Sequence, residues 1–293
     1  MTGIETLAEI LTLEPIEMNL FRGFSPSGPP RIFGGQVVSQ ALTAAYETVP
    51  ERICHSLHCY FIHPGDPTVP ILYEVDRARD GASFTTRRVT AIQHGRQIFN
   101  MAASFHVLEH GVEHQLTMPA MRPPNLGPPS PLAALTPGLD PQPPHRPFQL
   151  RVVKSAEGDG LSGDQTWMRA RVEIGDRPRV HQAALAYASD LMLLGAAMRP
   201  HNLDFGMPGL QFASLDHAIW FHRPTNFNQW HLYAQDSPSA SGARGFTRGE
   251  LFSQDGVLVA SVVQEGLIRL PPQGRPSSAP SETSAGRTTT KRP

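Results

Sequence analysis

Small and apolar residues fill every face of a helical pattern at 36–45 (QVVSQALTAA), which opens on Gly34 and Gly35, and the same character returns at 182–191 (QAALAYASDL). A helix that is apolar all round is a buried one. Each window is followed by a strand-like run ending near His and Pro, 56–64 (SLHCYFIHP) and 214–224 (SLDHAIWFHRP). Farther on, 81–85 (GASFT) is echoed by 242–247 (GARGFT), and 93–95 (QHG) by 254–256 (QDG). The last pair sits between alternating runs, as a hairpin turn does. The offset between copies grows from about 146 at the helix to about 161 at the hairpin, mostly through one insertion near 199–211. Four pairings in one order indicate an internal duplication.

Each copy therefore reads as a single buried helix followed by several antiparallel strands. Val152-Val153 and the run 167–172 add strands before the second helix. A helix of small residues lets a curved sheet wrap closely around it. The predicted fold class is α+β, a tandem double hotdog in which each half is an antiparallel sheet wrapped around one central helix. The expected boundaries are an N-terminal half at 1–118, a proline-rich linker at 119–147, a C-terminal half at 148–270 and a tail at 271–293. Proline can neither continue a helix nor donate to a sheet ladder. The tail holds almost nothing that could be buried, so disorder is expected there.

Composition narrows the choices only a little. Of 293 residues 40% are hydrophobic and the formal net charge is -1, which allows large cores and excludes a dedicated nucleic-acid binder. Cys54 and Cys59 are the only cysteines; their spacing fits neither a redox pair nor a zinc site, so no metal is expected. The acidic start of the chain is unlike a signal peptide, no apolar run approaches a membrane span, and Lys291-Arg292-Pro293 is not a peroxisomal address. The expectation is a cytoplasmic protein without membrane insertion.

Three polar residues stand out, all in the second copy. Asp190 interrupts an apolar helix, where a charge is costly unless paired. Ser214 begins the strand behind the insertion, and Gln264 sits near the end of an otherwise apolar strand. Taken alone, they could equally be a satisfied core carboxylate, a turn hydroxyl and a solvent-facing amide. Other chemistries are poorly served. There is no Gly-x-Ser-x-Gly elbow, no GxGxxG and no P-loop. His106, His110 and His114 would share a face only on a helix, and their surroundings read as strand and polar turn.

The runs 33–36 (FGGQ), 55–58 (HSLH), 64–66 (PGD), 81–89 (GASFTTRRV), 214–217 (SLDH) and 263–266 (VQEG) resemble the type II acyl-CoA thioesterases, from about Leu20 to Arg269. The resemblance implies a double hotdog, in agreement with the duplication. It also implies hydrolysis of fatty acyl-CoA without cofactor or covalent acyl-enzyme. The family's catalytic Asp, Thr or Ser, and Gln fall on Asp190, Ser214 and Gln264. In the expected mechanism Asp190 is the general base, and Ser214 and Gln264 hold the attacking water.

Gly34, Gly35, Gln36 and His58 are the candidate substrate-binding residues. A backbone N–H at the Gly34–Gln36 helix start would receive the oxyanion, although a packing role for the glycines fits as well. His58 could touch substrate or lie at a subunit interface. Arg87 and Arg88 alternate on their strand and read as solvated charge. Aligning the copies sets Asp190 near Ala44, Ser214 on Ser56 and Gln264 near Ser104, so one site per chain is expected. The rival functions are a hotdog enoyl-CoA hydratase, using Asp216-His217, and a non-catalytic acyl-CoA binder. Apolar sheet edges would allow a homodimer or larger homo-oligomer.

Overall fold

The computed structural model describes residues 6–26, 30–124, 147–154 and 164–271. Most of the proline-rich stretch and nearly all of the tail lie outside the described residues. Thirteen strands form one antiparallel sheet in the order β1-β2-β4-β5-β6-β3-β10-β13-β12-β11-β8-β7, with β9 paired to β13. The first half supplies β1 (Glu14–Glu17), β2 (Leu20–Gly23), β3 (Ile53–Phe61), β4 (Ile71–Asp80), β5 (Phe84–Gln93) and β6 (Arg96–His106). The second supplies β7 (Phe148–Lys154), β8 (Asp164–Ala170), β9 (Gln211–Ser214), β10 (Asp216–Phe221), β11 (His231–Ser241), β12 (Arg244–Ser253) and β13 (Leu258–Arg269). A short helix α1 (Leu7–Leu11) precedes them, opened by a capping box between Thr6 and Glu9.

Helices α2 (Gly34–Tyr46) and α3 (Pro178–Ser189) are the central helices of the two halves and pack on each other. Val38, Ala41, Leu42, Ala44 and Ala45 of α2 are fully buried, as are Ala184, Leu185, Ala186 and Ala188 of α3. Small side chains at these positions let sheet and helices approach without voids. The arrangement is the tandem double hotdog that the duplication implied.

The halves join where β3 runs antiparallel to β10, with His58 opposite Ala218 at the middle of the pairing. Counting outward from that centre matches Cys54 to Ser214 and Ser56 to Asp216. The first-half counterpart of Ser214 is therefore Cys54, not Ser56. Likewise Cys54 pairs with Phe105 and Ser214 with Gly266, so Gln264 corresponds to Ala103 rather than Ser104. Both copies carry an irregularity at this point: β3 shifts register between Cys54 and Ser56, and Leu215 separates β9 from β10.

Two charged features differ from the sequence reading. Arg87 is 1% exposed, not solvated. Its guanidinium donates to Thr48 Oγ1 (2.8 Å) and Thr48 O (3.1 Å) just beyond the end of α2, to Arg79 O and Thr86 O, and pairs with Asp80. A fixed cation near a helix C-terminus complements the helix dipole and occupies carbonyls that burial would otherwise strand. At the sheet edge, β1 reads Glu-Pro-Ile-Glu and is exposed throughout, so it is charged and lacks a donor where an apolar edge was expected. Such an edge discourages strand pairing with another copy.

Beyond β6 the chain runs without strand or helix along 107–123 and crosses onto the second half. Gln115 bonds to Gly256 O and Leu258 N, and Trp167 Nε1 donates to Arg122 O. Met118 and Met121 cover a cluster of Val153, Trp167, Trp230, Leu232 and Phe252. The segment holding His110 and His114 is thus extended, and these side chains do not share a helix face with His106.

Replacing Arg87 by Ala should cost about 3 kcal/mol, because several buried carbonyls lose their donor at once. Arg88→Ala, on the solvent side of the same strand, should stay within about 0.5 kcal/mol. Urea unfolding midpoints of the two variants compare them directly. Equal midpoints would show that Arg87 does not brace α2.

Candidate active site

Asp190 follows the last residue of α3 as its C-cap, with helical backbone angles. A carboxylate there faces the negative end of its own helix. Its side chain turns instead to the start of α2 in the other half, where Oδ2 accepts the Gly35 N–H at 2.8 Å. Oδ1 accepts from Gln264 Nε2 at 2.6 Å and from the Ser214 hydroxyl at 3.3 Å. Gln264 Nε2 also lies 3.0 Å from Ser214 Oγ, to which it donates. The three residues read from the sequence thus converge, and the first half contributes a fourth group that the sequence reading had assigned to substrate.

Gly34 and Gly35 make that approach possible. A Cβ on Gly34 would lie 2.8 Å from Asp190 Oδ2 and 2.9 Å from Phe61 Cε1, while one on Gly35 would collide with Tyr187 O and the Phe33 ring. Both glycines are required by close contact of backbone with carboxylate and rings. The Gly35 N–H, one of those expected to receive the oxyanion, donates to Asp190 in this structure. Two adjacent glycines opening a buried helix were the signal, but they do not say what approaches them.

The support behind Asp190 is built from buried polar side chains. Ser189 Oγ donates to Ala186 O, so it accepts from His217 Nε2 at 2.8 Å. Tyr233 Oη donates to Ser189 O at 2.7 Å. Burial lowers the His217 pKa to about 3, leaving it neutral, and its Nδ1 has no hydrogen-bond partner among the described residues. Asp216, the neighbour of His217, accepts the Glu265 N–H at 2.7 Å on the other side of the strand. The Asp216–His217 pair that a hydratase would use therefore diverges, as alternating strand positions must.

Burial dominates the electrostatics of the site. Desolvation raises the Asp190 pKa to about 6, against the opposing effect of the bonds from Gln264, Gly35 and Ser214. Gln264 is fully buried, and its Oε1 has no hydrogen-bond partner among the described residues. The site thus presents a basic carboxylate, a hydroxyl and an unpaired acceptor. Among the described residues, no group of three or more His, Cys, Asp and Glu could hold a metal ion.

Two further sequence candidates lie elsewhere. Gln36 is buried and its Nε2 donates to Phe24 O and Ser25 Oγ, tying down the segment before α2. His58 is exposed, between the buried Leu57 and Cys59, and its ring meets Trp220 edge-on at 5.0 Å. It faces away from the helices and from Asp190, so the strand's alternation removes it from the site. The corresponding position of the first half is filled rather than catalytic. Tyr46 Oη donates to Gln182 Oε1 and accepts the Cys54 N–H, while Gln182 Nε2 donates to Cys54 O. With Cys54 and Ala103 in place of hydroxyl and amide, that half carries no second copy of the constellation.

Comparison with known proteins agrees with this architecture. A family profile described as "Acyl-CoA thioesterase" matches residues 142–267, and one described as "Acyl-CoA thioesterase N-terminal domain" matches 23–106. Acyl-CoA thioesterase 2 of Haemophilus influenzae is 41% identical, covering 91% of this chain and 98% of that protein. Human acyl-coenzyme A thioesterase 8 is 40% identical, covering 90% of this chain and 89% of that protein. The crystal structure of acyl-CoA thioesterase II TesB2 from Mycobacterium marinum superposes with a TM-score of 0.79 at 42% identity, covering 92% of this chain and 99% of that one. With both halves matched and the relatives aligned nearly end to end, this chain belongs to the acyl-CoA thioesterase family.

Asp190 also links stability to pH. Its folded-state pKa of about 6 lies above its ordinary value, so its contribution is fully present below about pH 4 and is lost as pH rises through about 6. Ionising it in the folded chain costs about 3 kcal/mol relative to the unfolded one. The stability of the native protein relative to Asp190→Asn should therefore decline by up to about that amount between pH 4 and pH 8. A difference that stays flat across this range would mean that Asp190 is not held in a desolvating site.

Proposed function

We propose that the chain hydrolyses fatty acyl-CoA to free fatty acid and coenzyme A at one site, formed by Asp190, Ser214 and Gln264 of the second half against the start of α2. The observation that carries the reading is the Asp190 carboxylate. It is bound at once by Gln264, Ser214 and the Gly35 N–H, and the unpaired Gln264 Oε1 lies in the same constellation. A thioester carbonyl is electrophilic enough to be attacked by an oriented water without a covalent acyl-enzyme.

In this mechanism Ser214 and Gln264 orient the water and Asp190 takes one of its protons as the oxygen adds to the carbonyl carbon. The tetrahedral intermediate then collapses, the C–S bond breaks, and the leaving thiolate recovers the proton from Asp190. The products are the fatty acid and the free thiol of coenzyme A. Asp190 ends the cycle as it began, and no cofactor enters. A base with a pKa of about 6 is mostly ionised at neutral pH yet still basic enough to accept a proton.

The free, buried thiols Cys54 and Cys59 suit a reducing compartment, and we assign the reaction to the cytoplasm. Among the described residues no helix is long and apolar enough to cross a membrane.

Asp190→Asn keeps the size of the side chain and removes the base. Thiol release from acyl-CoA should fall by about 10²- to 10⁴-fold while the far-ultraviolet circular dichroism spectrum stays native. In the native enzyme kcat/KM should fall below an apparent pKa near 6. A folded Asn variant with near-native turnover would remove Asp190 from the mechanism, and a native protein that binds acyl-CoA without releasing thiol would be a carrier.

A further inference from the structure

Asp190 and Gln264 are buried, as is the last stretch of α3 from Ala183 to Ser189. Half-buried residues flank them on two lips, Phe33 and Gly34 at the start of α2 and Phe212, Ala213, Ser214 and Leu215 at β9. The way from the catalytic hydroxyl to water runs along the seam between these lips, one from each half of the chain.

One cation stands across that seam. Arg31 is exposed and lies two residues before Phe33, the N-cap of α2, and its guanidinium is 5.9 Å from the centre of the Phe212 ring. It thus reaches from the lip of the first half to that of the second. Phe212 is two residues before Ser214 on β9, so the two side chains share a face about 7 Å apart along the strand. A guanidinium held over a ring keeps its N–H groups available to a further acceptor. Among the described residues Arg31 has no hydrogen bond and no carboxylate partner, whereas Arg22, Arg87, Arg179, Arg244 and Arg248 each pair with an Asp or Glu.

This charge is placed for binding, not for the chemical step. Burial and three hydrogen bonds set the Asp190 pKa with no cation among the causes, so Arg31 stands away from the reacting carbonyl. The leaving group supplies a matching anion. Coenzyme A carries its phosphates at the far end of an arm from the sulfur, and phosphates cannot enter the buried interior of either half without a large desolvation cost. The arm must therefore leave through the seam. A planar guanidinium meets two phosphate oxygens at once. We propose that Arg31 is a substrate-binding residue that receives a phosphate of the coenzyme A arm where the arm passes Phe212. The proposal rests on the catalytic site assigned above and adds an anchor for the part of the substrate that does not react.

The test compares two thioesters of one acyl group, that of coenzyme A and that of N-acetylcysteamine, which keeps the thiol end of the arm and has no phosphate. Arg31→Ala should raise KM for the acyl-CoA about tenfold with kcat little changed, and should leave both constants for the N-acetylcysteamine thioester as they are. Arg31→Lys keeps the charge without the two-point geometry, so its KM should fall between the native and Ala values. Arg31→Glu should exceed the Ala value, and added salt should narrow its distance from the native protein. Because Arg31 is exposed, these variants fold. A KM that rises equally for both thioesters would show that Arg31 only braces the lip at Phe212. Constants unchanged for both would show that it meets no phosphate. Either result overturns the proposal. Asp190→Asn gives a different pattern, lowering turnover of both thioesters together, so failure of the catalytic assignment is told apart from failure of the anchor.

Discussion

The carboxylate of Asp190 sits at the negative end of its own helix and is tolerated because it points at the positive end of another. That opposition couples the halves. α3 must end where α2 begins, Gly34 and Gly35 must lack side chains, and β3 must pair with β10 in the observed register to bring Gln264 and Ser214 to the same oxygen. A buried ionisable group with three hydrogen-bond donors is costly to keep and more costly to leave half-satisfied. The hydrogen bonds of His217 and Tyr233 to Ser189 follow from the same need, since they fix the turn that aims the carboxylate.

The duplicated architecture shows how one scaffold holds two environments. Where the second half has Asp190, Ser214 and Gln264, the first places Cys54 and Ala103 and closes the space with the Tyr46–Gln182 pair. Both sets of groups are buried, but the first exchanges only internal hydrogen bonds and leaves no acceptor free for a reactant. The two halves thus contribute differently to the constellation: the first supplies a helix terminus, and the second supplies the carboxylate, hydroxyl and amide.

Much of this was legible in the sequence. The two all-apolar helices, the repeated hairpins and the order of strands follow from spacing, and the resemblance picked out the three residues that the structure brings together. What was not legible depends on long-range geometry. The repeated Ser-Leu at 56–57 and 214–215 makes Ser56 look like the partner of Ser214, whereas the strand pairing matches Ser214 to Cys54, two residues earlier. The outward face of His58 and the inward face of Arg87 are fixed by strand alternation, which sequence shows only as a choice between two faces. Nor does a pair of glycines announce whether a ligand, a ring or a carboxylate comes close.

The pairing of His58 with Ala218 bears on how the molecule is made. Contacts between residues so far apart in sequence slow folding, because a long loop must close before they repay its entropy. During synthesis the first half emerges with the β3 edge, including the buried positions Leu57 and Cys59, still waiting for its neighbour. At ribosomal speeds of ~5–20 residues per second that edge is bare for about ten seconds or more. The nascent chain is then most exposed to misassociation at the strand that later joins the halves.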